Sequence, residues 1–371
     1  MLSNHLTSMG LKSCPSSPCI FTGTLIPGHP PIYVGIYVDD IIYFSPNDEV
    51  EKKFEQLMST IGTVEFMGQV SLFLGTEFLW VHHSDGHVTV SLTQQSFVET
   101  LMETMNISTI KQSSFTSPYQ SGHSIDSAPV ETMPSSAKDS LRLQYQSLVG
   151  SLNWLAHTTR PDISTAVSLL AQHQSDPSPG HLASAKYVVH YLAHTKTLGI
   201  YFTSKKRTTL ESFIPFPTQD QVLAMSDANW GPQDATITKD SPDLPLFISQ
   251  SMSAFYVDLL GPIHWISKCQ KVTAASSAEA EIYATDECVK FLLDLNQILE
   301  FLDVKHLFMP STTIIYNDNK ACVQVEKGNF QGTSSYTNAG KIGLGKILNR
   351  NLLRYSILME KLISPTFSPR R

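Results

Sequence analysis

The spacing of hydrophobic residues predicts a β-hairpin near the start of the chain. The run from Ile32 to Ser45 is rich in β-branched and aromatic residues, with the adjacent acids Asp39 and Asp40 in its middle. Runs of this composition are typical of paired strands, and aspartates are common at tight turns because they satisfy turn backbone groups. We therefore expect both carboxylates at the tip of the hairpin.

Apolar residues at helical spacing occur directly after the hairpin and again in the middle of the chain. Apolar residues between Asp48 and Ile61 recur every third or fourth position, which predicts a helix over that stretch. A second helical block is predicted from Leu141 to Thr195, interrupted at Pro161, a residue suited to a first helical turn. Residues 1–31 are rich in Ser, Pro and Gly and predict mainly loop.

Three acids follow or lie on predicted elements in the last third of the chain. A strand pattern ends at Asp227, a helix that begins near Ser276 carries Glu281, and a later strand pattern is followed by Asp318. Each acid alone is most simply a cap or loop residue. Together, at the ends of neighbouring elements, the three carboxylates can converge on magnesium, which prefers oxygen ligands.

The hairpin carboxylates allow two interpretations. Ionised carboxylates beside apolar residues cost free energy unless a cation or hydrogen-bond donors compensate them. Asp39 and Asp40 are therefore either turn residues or ligands of a magnesium ion, and the residues alone leave both interpretations open.

Composition limits the classes of protein. The chain has 371 residues, 42% of them hydrophobic, which is enough for two or three domains with cores of their own. A net charge of −7 gives no basic footprint for nucleic acid. Five irregularly spaced cysteines favour free thiols in a reducing compartment. We find no signal or membrane-spanning pattern, and expect an intracellular, cytoplasmic chain with no membrane partner.

Two motifs resemble a known family. The sequence Tyr37-Val38-Asp39-Asp40, inside its apolar hairpin, resembles the catalytic hairpin of reverse transcriptases. Residues 144–155, Gln-Tyr-Gln-Ser-Leu-Val-Gly-Ser-Leu-Asn-Trp-Leu, and the following Thr159-Arg160-Pro161-Asp162-Ile163 resemble the connection region of copia-type LTR retrotransposons. The shorter phrase Leu72-Phe73-Leu74-Gly75 also recurs in that family.

The same resemblance extends to the three late acids. In the ribonuclease H domain of these elements, Asp227, Glu281 and Asp318 match the first three metal ligands in order, with Glu281 rather than Glu279 in the second position. The resemblance implies magnesium, with manganese as an alternative, at these acids and at Asp39 and Asp40. It also implies an RNA–DNA hybrid or a template–primer as partner, and says nothing of the oligomeric state.

The resemblance implies a mixed α/β (α+β) fold in several parts. Residues 1–112 correspond to the end of the reverse transcriptase palm and the thumb, 113–140 to a linker, and 141–215 to a helical connection. Residues 216–325 correspond to a ribonuclease H-like mixed sheet with helices, and 326–371 to an atypical tail. In the ancestor, these parts extend DNA on an RNA template and degrade the RNA strand of the hybrid.

The chain departs from the family pattern at both ends. The family places a first polymerase Asp and the fingers well upstream of the hairpin, so we expect this chain alone not to extend a primer. We find neither the fourth ribonuclease H ligand nor its nearby His after Asn319, and therefore expect weak or no cleavage of a hybrid. In a shifted reading frame, residues 340–371 can spell a phrase typical of the family, L-A-D-I-F-T-K. This predicts a frameshifted tail, with a divergent C-terminus as the alternative.

Three functions therefore stay open from the sequence. The chain is a nuclease that uses the three late acids, a non-catalytic nucleic-acid-binding remnant, or an inert degraded transposon copy. The family resemblance favours a fragment of an RNA-directed DNA polymerase with an attached ribonuclease H-like domain.

Overall fold

The computed structural model describes residues 2–107, 115–119, 134–204, 222–230, 251–309 and 313–326. Helices and strands alternate irregularly within these ranges, which confirms the predicted mixed α/β class. The chain divides into two compact units, Met1–Leu79 with Lys290–Pro310, and Trp80–Val289 with Ser311–Arg371. The domain boundaries inferred from the family stay predictions, and the tail from residue 327 onward, with its predicted frameshift, lies outside the described residues.

The first unit is built around a four-stranded antiparallel sheet. Its elements before the unit boundary are α1 (Leu2–Ser8), β1 (Lys12–Ser13), β2 (Ile20–Gly23), β3 (Ile32–Tyr37), β4 (Asp40–Phe44), α2 (Asp48–Met58), β5 (Leu72–Phe73) and the start of β6 (Thr76–His82). The sheet order is β1-β2-β3-β4, and β5 pairs separately with β6. The predicted hairpin is thus confirmed as β3 and β4.

The expectation of mainly loop before the hairpin missed three short elements, α1, β1 and β2. Residues of α1 and β2 contribute Leu6 and Phe21 to a core that also holds Ile32 and Phe54, each of them no more than 1% exposed. These contacts join residues far apart in the chain, so a local reading of Ser, Pro and Gly content does not reveal them.

Helix α2 begins where the sequence predicted and ends three residues earlier. The side chain of Asn47 accepts a hydrogen bond from the Val50 N–H at 3.0 Å, which satisfies one free donor of the first turn. Asp48 and Glu49 follow in that turn, where negative charge interacts favourably with the helix dipole. Helix α2 therefore has both a side-chain cap and a favourable charge at its start.

The remaining elements belong to the second unit, except for the C-terminal part of α7 and all of α8, which belong to the first. These elements are the rest of β6, β7 (Val88–Thr93), α3 (Gln95–Thr104), α4 (Ser135–Thr158), a 3-10 helix (Pro161–Ile163), α5 (Ser164–Ala171), α6 (Pro179–His194), β8 (Ile200–Thr203), β9 (Leu223–Asn229), β10 (Met252–Asp258), β11 (Pro262–Cys269), α7 (Ser277–Phe301), α8 (Lys305–Phe308), β12 (Ile314–Tyr316) and α9 (Lys320–Glu326). None of the described helices is long and apolar enough to cross a membrane.

A mixed sheet of the second unit has the order β11-β10-β9-β12. Strand β9 pairs antiparallel with β10 and parallel with β12, where Met225 lies opposite Tyr316. Asp227 lies two residues further along β9, and Asp318 lies two residues beyond Tyr316, just past the end of β12. The parallel pairing therefore brings the two acids to the same end of the sheet.

The helical part of this unit contains an ion pair in which the arginine is buried and the aspartate is partly exposed. The guanidinium of Arg160, 2% exposed, donates two hydrogen bonds to Asp162, at 2.9 and 2.7 Å. It also donates to the carbonyl and hydroxyl oxygens of Thr195, and Tyr191 donates to the same Asp162 carboxylate. The motif Thr159-Arg160-Pro161-Asp162 thus ties the end of α4 to the end of α6.

This ion pair predicts a large stability loss for Asp162→Ala. The variant leaves a buried guanidinium without its carboxylate, which we expect to cost about 3 kcal/mol in the free energy of unfolding measured with urea. Asp139→Ala, which breaks the exposed Asp139–Arg142 pair, is the matched control and should cost less than about 0.5 kcal/mol. Equal losses in the two variants would contradict this account of Arg160.

Candidate metal centre

The structure brings together three of the five acids singled out from the sequence. One carboxylate oxygen each of Asp227, Glu281 and Asp318 lies within 4.8 Å of the other two. The predicted convergence of these three side chains is confirmed, and the group is suited to hold a metal ion. Their assignment as catalytic metal ligands stays a prediction.

Each acid is positioned by a different element of the second unit. The register of β9 with β12 sets Asp227 beside Asp318, as described above. Glu281 comes from the first turns of α7 and is 5% exposed, whereas Asp318 is exposed and Asp227 lies between these extremes. The cluster therefore has a buried carboxylate at its base and an exposed one at its edge.

The neighbouring acid Glu279 has a different role. Its carboxylate accepts hydrogen bonds from the Ala275 N–H at 2.7 Å and from the Tyr283 hydroxyl at 3.0 Å. Its own N–H donates to the Ser276 hydroxyl at 3.2 Å. These contacts close the first turn of α7 in the manner of a capping box, so Glu279 serves the helix start and Glu281 the cluster.

Burial and mutual repulsion dominate the electrostatics of the cluster. Burial raises the pKa of Glu281 to about 8, and the charge of Asp227 adds to the effect, against a hydrogen bond from Asn317 that favours the ionised form. Burial and the charge of Asp318 also raise the pKa of Asp227. A divalent cation would relieve both effects, since it replaces lost hydration and offsets the repulsion. The donor set, three hard oxygen ligands, fits magnesium or manganese.

A buried polar network supports the cluster, and sequence reasoning missed it. The Asn317 amide donates to Glu281 Oε2 at 2.9 Å and also faces the main-chain and side-chain oxygens of Ser226. Thr285 lies one helical turn after Glu281 and shares a hydrogen bond with Ser226 at 3.0 Å. Two of these residues directly precede a cluster acid in sequence, which is the one signal that could have found them.

The other two sequence-predicted acids lie on the β3–β4 hairpin of the first unit. Tyr37 pairs with Asp40, so Val38 and Asp39 form a two-residue loop, and both carboxylates are exposed. Val38 has a φ of 53°, in the left-handed region that β-branched residues rarely adopt. Backbone strain of this kind is concentrated at functional sites. The geometry fits both the turn and the metal-ligand interpretations of Asp39 and Asp40.

Comparison with known proteins identifies the family. The chain is 31% identical over 264 residues to a putative transposon Ty5-1 protein of Saccharomyces cerevisiae, an alignment that covers 70% of this chain and 73% of that protein. The chain belongs to the copia-type retrotransposon Pol family. It corresponds to the polymerase and ribonuclease H region, and it spans 19% of the related Pol polyprotein from transposon RE1 of Arabidopsis thaliana, at 29% identity over 86% of this chain.

Other comparisons are more distant. No family model matches the chain. Among solved structures, the foamy viral protease-reverse transcriptase in complex with RNA/DNA hybrid aligns with 90% of this chain and 34% of its own, with a TM-score of 0.40 and 13% identity. The copia-type assignment therefore rests on the sequence relatives.

The raised pKa of Glu281 predicts how stability depends on pH in metal-free protein. Since the folded chain holds this proton more tightly than the unfolded chain, the stability that it contributes is fully present below about pH 4.5 and is lost as the pH rises through about 8. In EDTA at pH 8, Glu281→Gln should therefore have a free energy of unfolding on the order of 2 kcal/mol higher than the unsubstituted chain, and should unfold at a higher temperature.

The same measurement at pH 5 should show little difference, because Glu281 is then protonated in the folded chain. Glu279→Gln removes one charge from the same helix outside the cluster and is the control, with no pH-dependent gain expected. A Glu281→Gln variant that is less stable than the unsubstituted chain at pH 8 would show that the carboxylate is not under electrostatic strain.

Proposed function

We propose that residues 216–325, which lie largely in the second unit, form a ribonuclease H-like nuclease domain that hydrolyses the RNA strand of an RNA–DNA hybrid with the help of magnesium. Asp227, Glu281 and Asp318 are its metal ligands, and manganese is the alternative ion. The observation that carries this proposal is the meeting of three carboxylates from three separate elements within 4.8 Å. Membership of the Pol family supports the choice of substrate.

The charge of the cluster explains why a cation is needed. A phosphodiester is anionic, and three ionised carboxylates repel it unless bound cations reverse the local charge. In a site of this type, divalent ions stabilise both the attacking and the leaving oxygen of the phosphate. The buried Glu281 then holds its negative charge fixed at the base of the cluster, and the exposed Asp318 lies where substrate can reach it.

For the first unit we propose that Asp39 and Asp40 are the carboxylates of the polymerase hairpin. Their support is the exposed position of both at a tip that contains a strained Val38. In this proposal, residues 1–112 are the palm end and thumb, 141–215 the connection, and 216–325 the ribonuclease H-like domain. The hairpin would then bind metal and the template–primer.

The nuclease proposal predicts metal-dependent cleavage that requires Asp227. A purified chain should cut the RNA strand of a labelled hybrid in magnesium or manganese, and EDTA should abolish the cleavage. Loss of a group that merely supports a metal ligand costs 10- to 100-fold in many sites, so Asp227→Asn should lower the rate by about 100-fold or more. Glu279→Gln, which alters the helix cap, is the control and should retain most of the activity.

Two outcomes would contradict the nuclease proposal. Salt-dependent binding of the hybrid without cleavage would show a non-catalytic nucleic-acid-binding remnant, because phosphate contacts release counterions. Absence of both binding and cleavage in a folded chain would show an inert copy.

A further inference from the structure

The Asn317 side chain makes contact with all three parts of the structure that carry the acids. It follows β12, directly before Asp318, and is 7% exposed. Its amide nitrogen reaches Ser226, which precedes Asp227 on β9, and Glu281 on α7. A single side chain thus contacts or adjoins each ligand of the cluster.

The surroundings of Asn317 fix which way its amide points. The Asn319 N–H donates to Asn317 Oδ1 at 2.9 Å, and a backbone N–H can only donate. The oxygen must therefore face Asn319, and the nitrogen must face the opposite side. If the amide rotated by half a turn, its NH₂ group would face the Asn319 N–H, a second donor, and its oxygen would face the ionised Glu281 carboxylate, a second acceptor.

The amide has two hydrogens for four nearby oxygens. The shortest contact, 2.9 Å, is to Glu281 Oε2, while the contacts to Ser226 O, Ser226 Oγ and Thr285 Oγ1 are 3.2 to 3.4 Å. One hydrogen is thus directed at the Glu281 carboxylate, and the other is shared among the remaining oxygens. When Glu281 is ionised, as a metal ligand must be, this hydrogen bond is also the strongest of the four.

We infer that Asn317 is a positioning residue of the metal centre, which holds the Glu281 carboxylate in place for a divalent cation through the Asn317 Nδ2–Glu281 Oε2 hydrogen bond. The inference rests on the proposed cation site and adds a residue to it. With Glu281 Oε2 held by the amide, and the Ala228 N–H also donating to this carboxylate, the side chain has less rotational freedom. Ligand side chains held in this way bind metal more tightly because less freedom is lost on binding.

The test compares Asn317→Ala with Thr285→Val by direct measurement of manganese binding. Both variants remove a polar group from the same buried network, and Thr285→Val preserves the side-chain shape. Asn317 is hydrogen-bonded to a cluster carboxylate, whereas Thr285 is hydrogen-bonded to Ser226, Asn317 and Cys322. Binding is followed by electron paramagnetic resonance of free Mn²⁺, at a temperature well below the unfolding of every variant.

We expect Asn317→Ala to weaken manganese binding by about 10- to 100-fold. The manganese affinity of Thr285→Val should lie within about threefold of that of the unsubstituted chain, even if its melting temperature falls as far as that of Asn317→Ala. Unchanged binding by Asn317→Ala, or equal losses in both variants, would overturn the positioning role and leave the cation site intact. An unsubstituted, folded chain that binds no manganese would instead overturn the cation site itself, together with this inference.

Discussion

The parallel pairing of β9 with β12 is the constraint on which the candidate site depends. These strands are far apart in sequence, and their register places Met225 opposite Tyr316, so the acids that follow lie side by side. A shift of one residue would turn one acid to the opposite face of the sheet. The buried core of the second unit, with Ala224 and Ile315 on the paired strands, holds that register in place.

The cluster formed in this way is unfavourable for the metal-free fold. Glu281 and, in part, Asp227 are removed from water, and the carboxylates of the cluster repel each other, which raises the pKa of both residues. The hydrogen bonds of Asn317 and Ser226 offset part of that cost by fixing the geometry. A site that is costly without a cation and satisfied with one is the arrangement expected where binding, rather than folding, is the role of the residues.

The sequence predicted those parts of the structure that depend on local patterns. The β3–β4 hairpin follows from alternating apolar residues and a pair of aspartates, and the three cluster acids were found because each follows or opens a clear element. Asn317 was not predicted, because its role arises from groups on β9 and α7 that only the folded sheet brings near. The assignment of the C-terminal part of α7 to the first unit was likewise missed, since the helix pattern runs without a break from Ser277 to Phe301.

The central claim is that Asp227, Glu281 and Asp318 together hold a divalent cation. Crystals of the full chain soaked in manganese, with anomalous diffraction data, test it most directly. The account predicts an anomalous peak within coordination distance of all three carboxylates, absent in Asp227→Asn crystals treated in the same way. A well-ordered cluster without any peak at saturating manganese would contradict it.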